Sequence, residues 1–347
     1  MGKTNMKRNS FFKKVVAIML VLGMGLSFSA CMKKNNPKEI TMVLDWTPNT
    51  NHTGLYVALE KGYYKEAGLQ VSIVQPQEDS ACLMVASGQA QFGIDFQDYL
   101  TPAFSGDNPL PITAVAAIMQ HNTSGIISLK GKGITSPIGM EQHNYATWDL
   151  EIEKAILKYL IEKEGGNFDK VGLIPSTVTD CVTTLQLGMD HTGSGSGVGD
   201  VDCIWIYYGW DGIATQQAGL ETDFFYFKDF EEALDFYSPV IIGNNAYLQQ
   251  HPEEAQAFIQ ATKKGYEYAM AHPREAAEIL LKYAPELDRE LVMASQEWLV
   301  NQYQAEAESW GVIDGKRWDN FYQWLYNNGV IKEAIPAGTG YTNDFID

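Results

Sequence analysis

Within eight positions the chain gathers Asp45, Trp46, Asn49, Asn51 and His52. The indole offers a face for stacking, the two amides offer paired donors and acceptors, and the carboxylate and imidazole offer charge or proton transfer. Together they suit recognition of a flat polar molecule. A second group lies in YYGWDGI, where Tyr208, Trp210 and Asp211 follow Tyr207. Aromatic faces beside a carboxylate suit stacking and hydrogen bonding of an amino-substituted heteroaromatic ring. They equally suit core packing, and one of the three rings is expected to serve there. Asp95 follows the apolar run Phe92 to Ile94 as Asp45 follows Ile40 to Leu44. Two carboxylates on one rim are open to acid–base work, but helix N-capping and ligand contact explain Asp95 better than catalysis does.

The elements that must position these groups follow a strand–helix rhythm. Strands are expected at 40–46, 70–75, 91–94 and 112–118, and helices at 53–67, 81–87 and 98–105. Either Thr53 or Asn51 can cap the first helix, and Gly62 and Gly68 punctuate its end. The polar cluster thus sits between a strand's carboxyl end and a helix's amino end, where unpaired N–H groups face a ligand. A second αβ unit runs from about 126 to 237. It has strands at 126–129, 171–175 and 201–207, a polar and aromatic loop at 141–148 carrying Tyr145 and Trp148, and helices at 149–164 and 179–188. Ile152, Ala155, Ile156, Tyr159 and Leu160 share one face of the first of those helices. A strand from 238 ends at Asn244 and Asn245, and helices continue to about 330, with Pro273 dividing two of them. Trp298, Trp310, Trp318 and Trp324 fall in the last helices and read as packing residues, and GTGYTNDFID reads as a loose tail. This alternation gives an α/β fold in two units.

DHTGSGSGVGD, from Asp190, lacks the Lys-Ser/Thr ending of a phosphate loop and precedes a strand instead of following one, so it reads as a flexible loop tip. Residues 1–30 carry Lys3, Lys7, Arg8, Lys13 and Lys14, then an apolar run from Val15 to Phe28. Charge order and length mark a signal peptide, too short and too early for a membrane span. Cys31 after Ser29-Ala30 resembles a bacterial lipobox, with Phe28 as the departure; the other reading is an ordinary secretory signal with a stray cysteine. Residues 31–38 then serve as a lipidated tether, and the protein is expected to be exported and anchored through Cys31 to the outer face of the bacterial cytoplasmic membrane.

Removing the five basic residues of 1–30 from the chain's 25 leaves 20 against 43 acidic, a formal charge of −23. That surface argues against nucleic acid as a partner. A hydrophobic fraction of 45% suffices for a packed core, and about 310 mature residues suggest two domains. Cys82, Cys181 and Cys203 show no C-x-x-C pattern and read as buried small hydrophobes, with room for one disulfide and nothing that calls for it. No metal site and no cofactor are expected.

Asp45-Trp46, Asn49, Asn51-His52-Thr53-Gly54 and GLYVALEKGYYKEAGL resemble the thiamine-pyrimidine-precursor family of periplasmic-type binding proteins, the solute receptors of ABC importers. SGQAQFGI, SPVIIGNNAYLQQHPE and AFIQATKKGYEYAMAHPREAAEIL extend the resemblance over nearly all of 39–330. It implies a bilobed periplasmic-binding-protein fold of type II, two α/β lobes joined by two crossover strands. Lobe one comprises 38–125 with 238–347, and lobe two 126–237. It also implies an aminopyrimidine between the lobes, and as partners an ABC permease with its ATPase, the receptor itself being a monomer. By position, Trp46 would stack on the ring, and Asn49, Asn51 and His52 would line lobe one's wall, with Asp45, Asp95 and Asn244 near it. Tyr208 and Trp210 would supply lobe two's aromatic contacts, and Tyr145 and Trp148 match a loop that often reaches the cleft. Asp211 stands where relatives more often have glutamate, and the shortened 141–148 region and the insert 193–199 also depart, so ligand choice is where this chain differs. Another planar solute such as riboflavin is the alternative cargo. Fungal relatives of the same fold are enzymes that make a thiamine pyrimidine, consuming a histidine equivalent to His52 beside a cysteine-rich run. Here the matching LDFY, Leu234 to Tyr237, has no cysteine, which favours capture over synthesis.

Overall fold

The computed structural model describes residues 37–76, 80–106, 108–175, 180–189 and 201–346. The signal peptide, Cys31, most of the tether and the 193–199 insert lie outside these residues. Lys38–Asp347 forms one compact unit.

The first sheet is built on β1 (Lys38–Val43), which pairs in parallel with β2 (Leu69–Val74) and β3 (Phe92–Asp95). β4 (Ile112–Ala117) ends the outward run. The second sheet holds β5 (Ser124–Leu129), β6 (Asn144–Thr147), β7 (Gly172–Pro175), β8 (Cys203–Tyr207) and β9 (Thr222–Tyr226), in the order β7-β6-β8-β5-β9. β10 (Val240–Asn244) then returns to the first sheet and lies antiparallel between β3 and β4, giving β2-β1-β3-β10-β4. β3 and β10 are buried along their whole length, as strands covered on both faces must be. Two segments cross between the sheets, residues 118–123 and 227–239. Asn122 ties them together: its backbone N–H donates to Asp235 Oδ1 at 3.0 Å and its Nδ2 to the Leu234 carbonyl at 2.9 Å.

The helices are α1 (Thr53–Glu60), α2 (Tyr63–Glu66), α3 (Ala81–Ala86), α4 (Thr101–Phe104), α5 (Glu151–Lys163), α6 (Cys181–Met189), α7 (Ile213–Gln217), α8 (Asn245–Gln250), α9 (Pro252–Ala271), α10 (Pro273–Tyr283), α11 (Arg289–Leu299) and α12 (Gly315–Asn327). The single helix expected over 53–67 is two, because Gly62 takes a left-handed φ of 78° and ends the first. On α5 the buried face carries Glu153, Ile156, Leu157, Leu160 and Ile161. Its apolar stripe is thus turned from the expected one, admitting Glu153 because four groups hydrogen-bond to it: Tyr145 Oη, Thr147 Oγ1 and the backbone N–H groups of Trp148 and Leu150.

The stretch 141–148 is more ordered than a loop, since it contains β6, paired on both sides by β7 and β8. β9 was not expected either. Trp310 lies in a turn, not a helix; it is fully buried and stacks on Tyr266 with ring centroids 4.3 Å apart. The tail is not loose. Ala114 N donates to the Gly340 carbonyl and Thr342 N to the Ala114 carbonyl, so the chain end covers the β4 edge, and Ile346 is buried.

A close helix crossing holds the first polar loop in place. A methyl group on Gly265 of α9 would lie 2.0 Å from the Gly54 carbonyl oxygen, and one on Gly54 would meet the Tyr266 ring at 2.3 Å. With these two glycines the α1 and α9 backbones touch, and α1 carries the loop that precedes it.

Candidate functional site

Between β1 and α1 the chain makes a short 3-10 turn, Thr50–His52, capped by Asn49; α1 itself starts behind His52 with no side-chain cap, so neither Asn51 nor Thr53 caps it. Asn49 Oδ1 accepts the Asn51 N–H at 2.9 Å. The Asn49 N–H in turn donates to His52 Nδ1 at 3.2 Å, so the His52 ring proton sits on Nε2 and is donated to Asp45 Oδ1 at 2.7 Å. The loop backbone is held from behind: Tyr303 Oη donates to the Thr50 carbonyl and Tyr266 Oη to the Asn51 carbonyl, each at 2.7 Å.

This loop forms one wall of a cavity of about 700 Å³, within the range typical of small-molecule sites. Asp45, Trp46, Asn49 and Asn51 line it, joined on the same side by Asp95, Phe96 and Tyr99 just past β3. From the second sheet come Trp148, Trp205, Tyr207, Trp210 and Asp211. Pro76, Ser80, Ala81, Ile94, Cys181, Ile204 and Ile206 complete the lining. Trp46 and Trp148 are exposed by 44% and 39%, and the Trp148 ring stands 6.0 Å from that of Trp205. The Phe96 and Tyr207 rings stack on each other with centroids 5.3 Å apart, a contact between the two sides.

Eight of the expected site residues meet at this cavity: Asp45, Trp46, Asn49, Asn51, Asp95, Trp148, Trp210 and Asp211. Four do not. His52 is fully buried behind Asp45. Tyr145 lies on β6, where strand alternation turns its ring into the core and its hydroxyl onto Glu153 at 2.5 Å. Tyr208 packs against Phe224, Tyr226 and Trp298 and is the ring of its cluster given to packing. Asn244 caps α8 through Oδ1 and donates Nδ2 to the Val85 carbonyl. Phe96, Tyr99 and Trp205 were missed, and Tyr207 was named with its cluster but not among the expected site residues. Tyr207 and Phe96 adjoin Tyr208 and Asp95, and the end of β8 and the turn after β3 were the available signals.

Tyr208–Gly212 winds as one π-helical turn, a form that occurs disproportionately at functional sites. Asp211, within it, is pushed up to about 6 by burial, opposed by the Tyr207 N–H. Burial pushes Asp95 up to about 7, with the nearby charges of Asp45 and Asp98 adding to it and the Phe96 N–H opposing. Asp98, behind the lining, is also pushed up to about 7 by burial. Cys82, Cys181 and Cys203 are free, buried thiols. Among the described residues no group of three or more His, Cys, Asp or Glu gathers as a metal site would need. Among the described residues no Lys, Arg or His lines the cavity. Carboxyls, amides and aromatic faces can accept hydrogen bonds and stack, but they offer an anion no counter-charge.

The family described as NMT1/THI5 like matches residues 49–276. A formylaminopyrimidine-binding protein of Halalkalibacterium halodurans is 25% identical over 341 residues, covering 95% of this chain and 98% of that protein. A 4-amino-5-hydroxymethyl-2-methylpyrimidine phosphate synthase of Legionella pneumophila is 23% identical over 317 residues, covering 89% and 92%. Among solved structures, the alkanesulfonate-binding protein SsuA of Xanthomonas axonopodis pv. citri, bound to MOPS, superposes with a TM-score of 0.64 at 10% identity, covering 88% of this chain and 99% of that one. The aliphatic sulphonate-binding SsuA of Escherichia coli gives 0.63 at 11%, covering 86% and 90%. The fold is therefore the bilobed α/β fold of periplasmic binding proteins.

Proposed function

The chain belongs to the NMT1/THI5-like family, and we propose that it is the extracytoplasmic receptor of an ABC importer, capturing a thiamine pyrimidine precursor between its lobes. The formylaminopyrimidine or hydroxymethylpyrimidine type is the proposed cargo. One observation carries this reading: the cavity joins aromatic faces to Asp45, Asp95 and Asp211, and among the described residues no cationic side chain lines it. An aminopyrimidine presents a flat ring and amino donors, which these groups complement. A sulfonate or phosphate would find carboxyls and no counter-charge among these described residues.

In the mechanism, Trp46 and Trp210 flank the ring while Asp211 accepts from a ring amino group. Asn49, Asn51 and Trp148 complete the enclosure. Ligand contacts made from both sides stabilise the closed arrangement over the open one by their difference. The crossover segments are the hinge. There His121 Nδ1 bonds Asp235 at 2.6 Å and Nε2 bonds Glu306 at 2.7 Å, and Asp235 beside it holds the imidazole above its ordinary range. The closed form would then dock on a permease, with Cys31 as the lipid anchor that keeps the receptor at the membrane.

A synthase reading is disfavoured by His52 itself. It is fully buried and both ring nitrogens are engaged within the loop, so it supports the wall and is not offered to a reaction. The test is thermal-shift screening of the domain from residue 32 against formylaminopyrimidine, hydroxymethylpyrimidine, thiamine, riboflavin and taurine. A ligand that binds only the folded state raises its melting temperature. A shift with a pyrimidine alone is expected; a shift with riboflavin, or none with pyrimidines, overturns the cargo.

A further inference from the structure

The two walls of the cavity meet at a residue that lines neither. Ser295, in the middle of α11, is fully buried. Its Oγ donates to the carbonyl of Gly209, in the π-helical turn that carries Trp210 and Asp211. The same Oγ lies 2.6 Å from Thr50 Oγ1, in the loop that carries Asp45 to His52. A serine hydroxyl has one proton. With that proton spent on Gly209, Thr50 must donate to Ser295, and the chain of bonds runs in one direction from Thr50 through Ser295 to Gly209.

Packing gives an independent sign of the same junction. A methyl group on Gly209 would lie 2.9 Å from the Trp298 ring and 3.0 Å from Leu299 Cδ2, so the turn is pressed against α11 with no room for a side chain. Beside it the Tyr208 and Trp298 rings stand 5.5 Å apart. Helix α11 therefore touches both walls, while the covalent crossovers pass elsewhere, through 118–123 and 227–239.

We infer that Ser295 is a positioning residue for ligand binding: its hydroxyl fixes the first-sheet loop and the second-sheet π-turn in one register, so that Trp46 and Asp211 reach the same ligand. The inference rests on the reading of this cavity as a ligand site. Removing the hydroxyl leaves the Gly209 carbonyl and the Thr50 hydroxyl without partners in a dry interior, and the two walls are then free to shift against each other. Because the relay is a series, cutting it at Ser295 or at Thr50 breaks the link between the two walls in either case, although only Ser295→Ala also frees the Gly209 carbonyl.

The experiment uses the purified full chain in mild detergent with Ser295→Ala, Thr50→Val, the double variant and Thr50→Ser. Formylaminopyrimidine binding is measured by titration calorimetry, and amide hydrogen exchange is followed without ligand. Ser295→Ala and Thr50→Val are each expected to weaken binding about tenfold, on the scale of one lost buried hydrogen bond. The double variant is expected to be no weaker than the worse single, and Thr50→Ser, which keeps the hydroxyl, restores binding. In ligand-free Ser295→Ala, exchange rises in both 45–52 and 208–212. Wild-type affinity and exchange in Ser295→Ala, or losses that simply add in the double variant, overturn the inference. If the wild-type chain does not bind the pyrimidine, the proposed cargo falls, and the exchange data alone decide the role of Ser295.

Discussion

His52 Nε2 stands 2.7 Å from Asp45 Oδ1, and its other ring nitrogen accepts the Asn49 N–H. The imidazole thus aims a carboxylate into the cavity without reaching the cavity itself. His52→Ala leaves a buried N–H unpaired and Asp45 unanchored. We expect it to weaken ligand binding by about tenfold and to lower unfolding stability by about 1–3 kcal/mol. Calorimetric titration and urea unfolding check both; unchanged binding would show that Asp45 needs no support.

Trp46→Ala should separate binding from stability. The indole is 44% exposed, and surface substitutions away from caps and networks change stability by about 0.5 kcal/mol or less. Loss of binding with an unchanged unfolding midpoint is expected. Asp211→Ala should likewise abolish binding in a protein that still folds. Normal binding by both variants would remove them from the site.

How far the site could be read in advance depended on backbone geometry. Asp45 and Asp95 were legible because each closes an apolar strand. Trp210 and Asp211 were legible because an aromatic–carboxylate pair follows another. Tyr145 was misjudged because β6 is four residues long and polar at its start, so the alternation that turns Tyr145 inward had no visible pattern around it. Tyr208 was placed in the site while its neighbour Tyr207 lines the cavity instead, for a related reason: where a strand runs into a π-turn, the periodicity changes at that boundary. Ser295 gave no signal at all. It is a small polar residue in an amphipathic helix, about 245 positions from its partner Thr50, and only the tertiary fold brings the two together.

Gly265→Ala tests whether the first wall depends on the α1–α9 crossing. The added methyl would stand 2.0 Å from the Gly54 carbonyl oxygen, which is backbone and cannot rotate away. Overpacking of this kind costs about 3 kcal/mol, and α1 can relieve it only by moving the loop before it. A lowered melting temperature together with weaker ligand binding is expected. A drop in stability with wild-type affinity would mean that the loop is held by Tyr303 and Tyr266 independently of α1.

Asp98 sets the sign of a pH dependence. Its carboxyl is pushed up to about 7 by burial, and its Oδ1 has no hydrogen-bond partner. In the unfolded chain an aspartate titrates near about 4. Between those values the folded state keeps a proton that the unfolded state has released, so this group's contribution is fully present below pH about 4 and is lost as pH rises through about 7. Asp202 and Asp235, held below their ordinary range by Lys132 and His121 against the opposing effect of burial, act in the opposite sense at lower pH. A direct profile therefore mixes the two senses, with Asp95 and Asp211 raised like Asp98, whereas the difference between parent and Asp98→Asn carries only Asp98 and the part of Asp95's shift that its charge supplies, both of the same sign. Urea unfolding at pH 5, 7 and 9 should show the variant gaining on the parent as pH rises, by on the order of 1–3 kcal/mol across the range. Parallel profiles would mean that Asp98 is solvated and titrates as it does in the unfolded chain.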